Sequence, residues 1–420
     1  MHNSPGLARR LGTFDAVVIG LGSMIGAGVF AAFTPAAQAA GSGLLVGLAV
    51  AALVAYCNAT SSAQLAAAYP TSGGTYVYGR ERLGPWPGFL AGWGFVVGKT
   101  ASSAAMAMTF AAYAAPPGWE RPVAIAAVVL LVAVNYRGIS RTATLARIIV
   151  VAVLLALAIA VAAVWAGGTD AGAANIPGDG LLAHGWHGIL QSAGLLFFAF
   201  AGYARIATLG EEVRDPRRTI PRAILLSLAI AAAIYACVAV TLLAALGPDG
   251  VASSAAPLAE AVAAGSWGAA APVVRVGAAL ASLGALLALV AGLGRTTLAM
   301  AREHDLPHWL AAVHPRFQVP HRAELVLGAG ICLIIAVADL RGAIGFSSFG
   351  VLVYYLVANL AAFTQAGPDR RYPRFLQLLG AVACLALLAT LPLASILAGL
   401  AMFGLGIAYR ALRLRRATAR

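Results

Sequence analysis

Apolar runs long enough to cross a bilayer follow one another down the whole chain, and this feature fixes the class of fold. Bounded by charges or by Gly and Pro clusters, they fall at 14–38, 42–67, 86–114, 122–136, 143–167, 187–210, 222–246, 272–301, 323–339, 342–365, 375–390 and 393–411. About 20 residues of helix span the hydrocarbon core. Composition gives the same answer. Of the 420 residues, 61% are hydrophobic and 10% charged, whereas a soluble domain carries about 25% charged residues. A soluble fold has no interior large enough for so much apolar surface, and disordered chains are charge-rich. The expectation is an all-α polytopic membrane protein of about twelve transmembrane helices.

The net charge of +13 is not spread evenly. With the N-terminus inside, the inner loops hold Arg80 and Arg82, then Arg137, Arg141 and Arg147, then Arg214, Arg217, Arg218 and Arg222. Arg295, Arg302, Arg316 and Arg322 follow, then Arg370, Arg371 and Arg374, and the tail adds Arg410, Arg413, Arg415 and Arg416. The outer loops hold Arg121, Arg275 and Arg341. That asymmetry follows the positive-inside rule and predicts both termini in the cytoplasm. It also explains the basic balance by membrane topology, without a nucleic-acid partner. Arg9 and Arg10 precede a first run that lacks a cleavage site and reads as the first helix, not a removed leader. Cys57, Cys237, Cys332 and Cys384 all lie in apolar runs, where a thiol serves as a small buried apolar group.

The first and sixth runs carry paired interruptions. Gly20, Gly22, Gly26 and Gly28 crowd the first, and Phe197-Phe-Ala-Phe-Ala-Gly-Tyr203 marks the sixth. They stand at corresponding places of two five-helix halves, the pattern of an inverted-repeat transporter with breaks near Ile25–Gly28 and Phe200–Tyr203. Irregular backbone at that depth is tolerated only where protein or a cavity surrounds it. Freed N–H groups at the start of a half-helix suit a carboxylate, and freed carbonyls suit an ammonium. Together they suit an amino acid. The alternative role for these glycines is close helix packing.

On these residues the chain resembles the amino acid–polyamine–organocation (APC) superfamily of permeases. Gly22-Ser-Met-Ile-Gly-Ala-Gly-Val-Phe30 is similar to that family's first-helix motif, and Tyr69–Tyr78 with Leu83-Gly84 and Gly88–Trp93 to its loop between helices two and three. Phe197–Gly202 with Glu211–Pro216 and Ile220–Arg222 resembles helix six and the loop behind it, and Gly294-Arg295, Met300–Arg302 and Leu306-Pro307 the end of helix eight. The resemblance implies a 5+5 inverted-repeat fold. Its boundaries are an inner segment 1–13, a first repeat 14–167, a second, inverted repeat 168–366, and two further helices with a basic tail over 367–420. It implies a substrate carboxylate on the N–H groups of Ala27 and Gly28, beside Gly26. The α-amino group would meet carbonyls near Met24 and Ile25 and near Phe198 and Ala201, beside Gly202. Phe198 or Phe200 would be an aromatic gate, with ordinary core packing as the other role. Ala27 stands where many relatives carry a hydroxyl, so carboxylate binding would rest on backbone alone.

Charge is where the chain departs from the family. The helix-five lysine of sodium-independent relatives falls at or near Val153, and the usual acid after the helix-six Gly-aromatic pair is Ala204. Lys99 in span three, the only lysine, and Arg205 just after the helix-six break are present instead. Lys99 lies about 13 residues past the inner start of its span, roughly 20 Å deep at 1.5 Å per residue. A charge at the bilayer centre costs at least about 2.5–3.5 kcal/mol and needs a partner. With no acid expected in the membrane core, Lys99 is expected to meet backbone carbonyls or substrate, and to stand in for the sodium ion of distant relatives. Ser102, Ser103, Met106, Ser282, Ser347 and Ser348 are candidates for the side-chain pocket. A short helix is expected around Leu306–Val313, and the charges of Glu211–Arg222 form either an inner gate or helix-end ion pairs.

The expected activity is secondary transport of amino acids by alternating access across the cytoplasmic membrane, sodium-independent, with neutral or anionic substrates favoured and protons as a candidate coupling ion. An amino acid/amine exchanger and a non-transporting receptor are the alternatives. No cluster of acids, histidines or nucleophiles suggests an enzyme. No cofactor or metal is expected, the histidines being loop residues. The partners are the bilayer and a small amino acid. A monomer or weak homodimer is expected, and the alanine-rich, arginine-over-lysine composition points to a bacterial source.

Overall fold

A computed structural model describes residues 11–70, 73–137, 143–166, 176, 180–208 and 212–418. Arg9, Arg10, Arg141 and Glu211, and Thr71-Ser72 of the second motif, lie outside the described residues. Helices occupy each of the twelve expected runs among the described residues. The first half comprises α1 (Thr13–Met24), α2 (Gly28–Ala31), α3 (Phe33–Ala40), α4 (Leu44–Ala68), α5 (Gly74–Leu83), α6 (Pro85–Ala114), α7 (Glu120–Tyr136) and α8 (Ala143–Ala166). The second comprises α9 (Gly185–Phe200), α10 (Ala204–Ala207), α11 (Pro216–Ser253), α12 (Pro257–Ala263), α13 (Ala271–Arg302), α14 (His321–Val337) and α15 (Leu340–Phe363). Helices α16 (Arg374–Thr390) and α17 (Leu393–Thr418) follow.

Eight helical stretches among the described residues are long and apolar enough to cross a membrane. The others have physical reasons to fall short. Helices α7, α14 and α16 have 17 residues each. Helix α6 has 30, but its glycines, serines, threonines and Lys99 dilute its hydropathy. Surrounded by other helices, it meets little lipid and can be polar. On the outside the opposite holds: Leu130, Leu333, Val337, Leu393 and Leu405 are each more than 60% exposed, which only a lipid solvent permits.

Helix pairing repeats between the two halves. Helix α1 lies on α11 as α9 lies on α4; α6 lies on α15 as α13 lies on α8; α1 meets α8 as α9 meets α15. Helices α4 and α11, α6 and α13, and α7 and α14 meet their own counterparts. Helix α5 is set off from α6 by Gly84 at φ +100°, a backbone conformation that favours glycine.

Polar groups sit where helices cross. Asn359 donates to Asn58 Oδ1 (2.6 Å) and accepts from Ser61 (2.6 Å), joining α15 to α4. Cys384 of α16 reaches the same Asn58 oxygen (3.4 Å). Cys57 and Cys384 are buried as expected, but Cys237 is exposed and Cys332 half-buried, because their helix faces turn outward.

Two buried acids were not flagged by the sequence pattern. Asp305 follows α13 and is buried, accepting from Tyr76 Oη (2.8 Å), Arg80 (2.8 Å) and Arg410. It ties α5, the end of α13 and α17 together. Burial, then the adjoining carboxylate, hold the Tyr76 phenol above its ordinary range, so it remains a donor. Glu324, buried in the first turn of α14, has one oxygen with no partner among the described residues. The short helix expected around Leu306–Val313 is a single 3-10 turn, His308–Ala311. Of the charges expected around 211–222, Arg218 pairs with Asp215 (3.8 Å), an exposed helix-end pair. Backbone bonds from Leu11 N to Glu212 O (3.1 Å) and from Arg214 N to Leu11 O (2.9 Å) clamp the N-terminal segment there instead.

Asp305→Ala leaves the buried Arg410 without its counter-charge and Arg80 with only the exposed Glu303. Removing one partner of a buried pair costs about 3–5 kcal/mol, and thermal unfolding of the detergent-solubilised protein is expected to show a correspondingly lower midpoint. Glu303→Ala, which removes only the 57%-exposed partner of Arg80, is expected to leave the midpoint nearly unchanged.

Candidate functional site

The helix-one run breaks where the glycines predict and once more beyond. Helix α1 ends at Met24, Ile25–Ala27 are not helical, α2 is one turn, and Ala32 separates it from α3. Ile25 N–H still bonds Leu21 O (2.7 Å), but no backbone carbonyl among the described residues accepts from Gly26, Ala27 or Gly28. The run at helix six differs from its expectation. It is not opened out; Ala201–Tyr203 tighten into a 3-10 turn between α9 and α10, with φ and ψ in the helical range at Phe200, Tyr203 and Ala204. Packing supplies the reason. A Cβ at Gly202 would overlap the backbone of Ser23 and Met24, so the two interruptions press against each other.

Gly28 and Gly26 have the same role. A Cβ at Gly28 would stand 2.7 Å from Ala199 Cα, and one at Gly26 2.6 Å from Ala285 Cβ on α13. Both glycines therefore serve close backbone approach, and a larger residue at Gly28 would act by pushing α2 off α9. Met24, Ile25, Ala27, Phe198, Phe200 and Ala201 are all buried. A solute reaches the free N–H groups only when helices move apart. Phe200 is wholly buried with its ring packed against Tyr235 (centroids 5.0 Å). Phe198 is 7% exposed.

Lys99 enters this junction from α6. Its side chain is buried, and Nζ donates to the Ala201 carbonyl at 3.4 Å, the oxygen that the 3-10 turn presents sideways. Tyr355 of α15 shares that oxygen (3.4 Å). The ammonium thus meets a carbonyl of helix six and none of helix one among the described residues. Arg205 lies half-buried near Gly292, with no side-chain partner among the described residues. Among the pocket candidates, Ser102 bonds Ser347 (2.6 Å) and Ser103 returns to Lys99 O (3.0 Å). The hydroxyls of Ser282 and Ser348 are buried and unpartnered among the described residues. Met106 and Ala27 belong to one apolar cluster. Val153 and Ala204, which replace the family's usual charges, are buried apolar residues.

Sequence reasoning missed Tyr235. Its hydroxyl lies 2.5 Å from Met24 O and 3.0 Å from Ala199 O, so one proton is shared between both broken helices. A tyrosine isolated among alanines in an apolar run was the available signal, as was the Tyr354-Tyr355 pair. Tyr235→Phe leaves two carbonyls without that donor. The expected cost is about 1–3 kcal/mol, read as a lower unfolding midpoint with helix content retained by circular dichroism.

Comparison with known proteins accounts for the whole arrangement. Residues 11–408 match the model of a family described as amino acid permease. An uncharacterized transporter of Mycobacterium tuberculosis is 62% identical over 405 residues, 96% of this chain and 90% of that protein. The branched-chain amino acid permease BcaP of Bacillus subtilis is 26% identical over 393 residues, 88% of this chain and 83% of the relative. Cationic amino acid transporter 7 of Arabidopsis thaliana, described as chloroplastic, is 28% identical over 383 residues, 85% of this chain and 65% of the relative. A multi-pass, all-helical membrane protein that is a transporter and not an enzyme, the chain belongs to the amino acid permease family.

Proposed function

We propose that this permease moves amino acids by alternating access between two inverted five-helix repeats, 14–167 and 168–366, with both termini cytoplasmic. The recurrence of the same helix pairs in the two halves supports the repeat. The basic inner loops support the orientation. The substrate carboxylate meets the free N–H groups of Ala27 and Gly28, and its amino group meets carbonyls at the helix-six turn. Closure over these atoms accounts for their burial, and opening on one side at a time exposes them.

The single observation that carries the coupling scheme is Lys99 Nζ on the Ala201 carbonyl. A resident ammonium at the helix-six turn supplies the positive charge that a sodium ion supplies in distant relatives, so transport proceeds without sodium. If that ammonium releases its proton in one half of the cycle, the protein is a proton symporter; if it stays charged, an exchanger or uniporter. The same charge sets substrate preference. A cationic side chain about 6 Å from it meets a repulsion of roughly 3 kcal/mol at an effective dielectric of 20. Neutral and anionic amino acids are therefore favoured over arginine and lysine. The name of the Arabidopsis relative favours a second reading, a cationic substrate with Lys99 screened from it.

Uptake into proteoliposomes is the test, with and without sodium and under an imposed pH gradient. Wild-type protein is expected to work in sodium-free buffer, and Lys99→Ala to lose most of its rate. A sodium requirement overturns the coupling scheme, and full activity of Lys99→Ala makes the lysine a bystander. Competition sorts the substrates: arginine uptake undiminished by neutral amino acids selects the second reading.

A further inference from the structure

Helices α7 and α14 meet at the periphery, and between their lipid-exposed faces runs a groove of about 680 Å³. That volume falls within the roughly 300–1,000 Å³ of small-molecule sites. Its floor is built from the buried Val128, Val132 and Gly328, and its rim from the exposed Ala133 and Ala329 and from Val129 and Leu325, which are 56% and 53% exposed. One end is chemically different. Tyr136, Arg137 and Phe317 line it, at the last turn of α7 and just before α14 begins. In the orientation set by the arginines, this is the cytoplasmic membrane surface. Arg316 stacks over Phe317 at 5.4 Å, adding a second guanidinium at the mouth. The Arg137 side chain has no ion-pair or hydrogen-bond partner among the described residues.

From this geometry we infer a specific site for an anionic phospholipid of the inner leaflet, its acyl chain in the α7–α14 groove and its phosphate on Arg137. A lipid-facing helix pair normally presents a convex surface that any lipid wets. Here the short side chains of Ala133 and Ala329 leave a recess between Val129 and Leu325 over the Val128–Val132 floor, and the recess ends in a guanidinium, which binds phosphate oxygens in bidentate fashion. Arginine-rich pockets between transmembrane helices on the cytoplasmic side are suited to acidic headgroups. Tyr136, which lines the groove beside Arg137, has the amphipathic character of interfacial aromatics. The occupant bridges a helix of each half, so its presence affects how firmly the halves are held. The site stands apart from the helix-one and helix-six junction and does not rest on the transport scheme above.

The test is thermal unfolding of the delipidated protein in detergent, titrated with dioleoylphosphatidylglycerol, dioleoylphosphatidylcholine or inorganic phosphate. The phosphatidylglycerol titration is expected to raise the midpoint saturably, with much smaller shifts from the other two. Arg137→Ala is expected to raise the half-saturating phosphatidylglycerol concentration at least tenfold. Ala329→Trp, which fills the groove from an exposed position, is expected to abolish the shift. Either variant is used only if its midpoint without lipid matches wild type, with Ala133→Trp as the second groove-filling variant. Equal shifts from phosphatidylcholine overturn the headgroup assignment. A full shift from phosphate alone overturns the lipid, and wild-type titrations in both kinds of variant overturn the location.

Discussion

Backbone groups released at membrane depth must find partners inside the protein, and the centre of this permease is organised around that constraint. Where α1 stops at Met24, its last carbonyl is taken by Tyr235 from α11. Where α9 passes into a 3-10 turn, Ala201 O is taken by Lys99 from α6 and Tyr355 from α15. Three helices are thereby committed to two interruptions, and Gly28 and Gly202 bring the interruptions into contact. The N–H groups of Gly26, Ala27 and Gly28 have no backbone acceptor among the described residues, which makes them available for an anion.

The inner surface is held by charge and backbone pairing. Asp305 gathers Arg80 and Arg410 on one side of the bundle, and Leu11 pairs with the segment around Val213 on the other. Asp15 and Arg147 join α1 to α8. The Asp305 contact is the most buried of these. The outer end has fewer charges, Arg341 donating to Gln191 Oε1 (2.9 Å) and Arg275 to the Tyr113 carbonyl (3.3 Å).

Much of this was legible in the residues. Apolar runs mark the helices because lipid forces every backbone group to bond within its own segment. Glycines mark the break in helix one, and the lone lysine marks a buried charge in need of carbonyls. Other features were illegible for physical reasons. Tyr235 and Asp305 act through partners more than 30 positions away in the chain, and no local pattern records such distances. The helix-six turn was expected to open and instead tightened, because Gly202 faces helix-one backbone, a contact the local sequence does not contain. Asp305 falls in a loop by pattern and is buried only because α5 and α17 close over it.

By itself the sequence determined the all-helical membrane class, the positions of the helices, the arginine asymmetry, the helix-one interruption and the family motifs. Each follows from short-range properties: hydropathy, backbone freedom and charge placement. Tertiary structure decided which side chains meet the interruptions, that Lys99 goes to helix six and not helix one, and that the Phe200 ring lies against Tyr235. Those outcomes depend on how helices rotate and cross, which is set by the fit of small and large residues between distant segments.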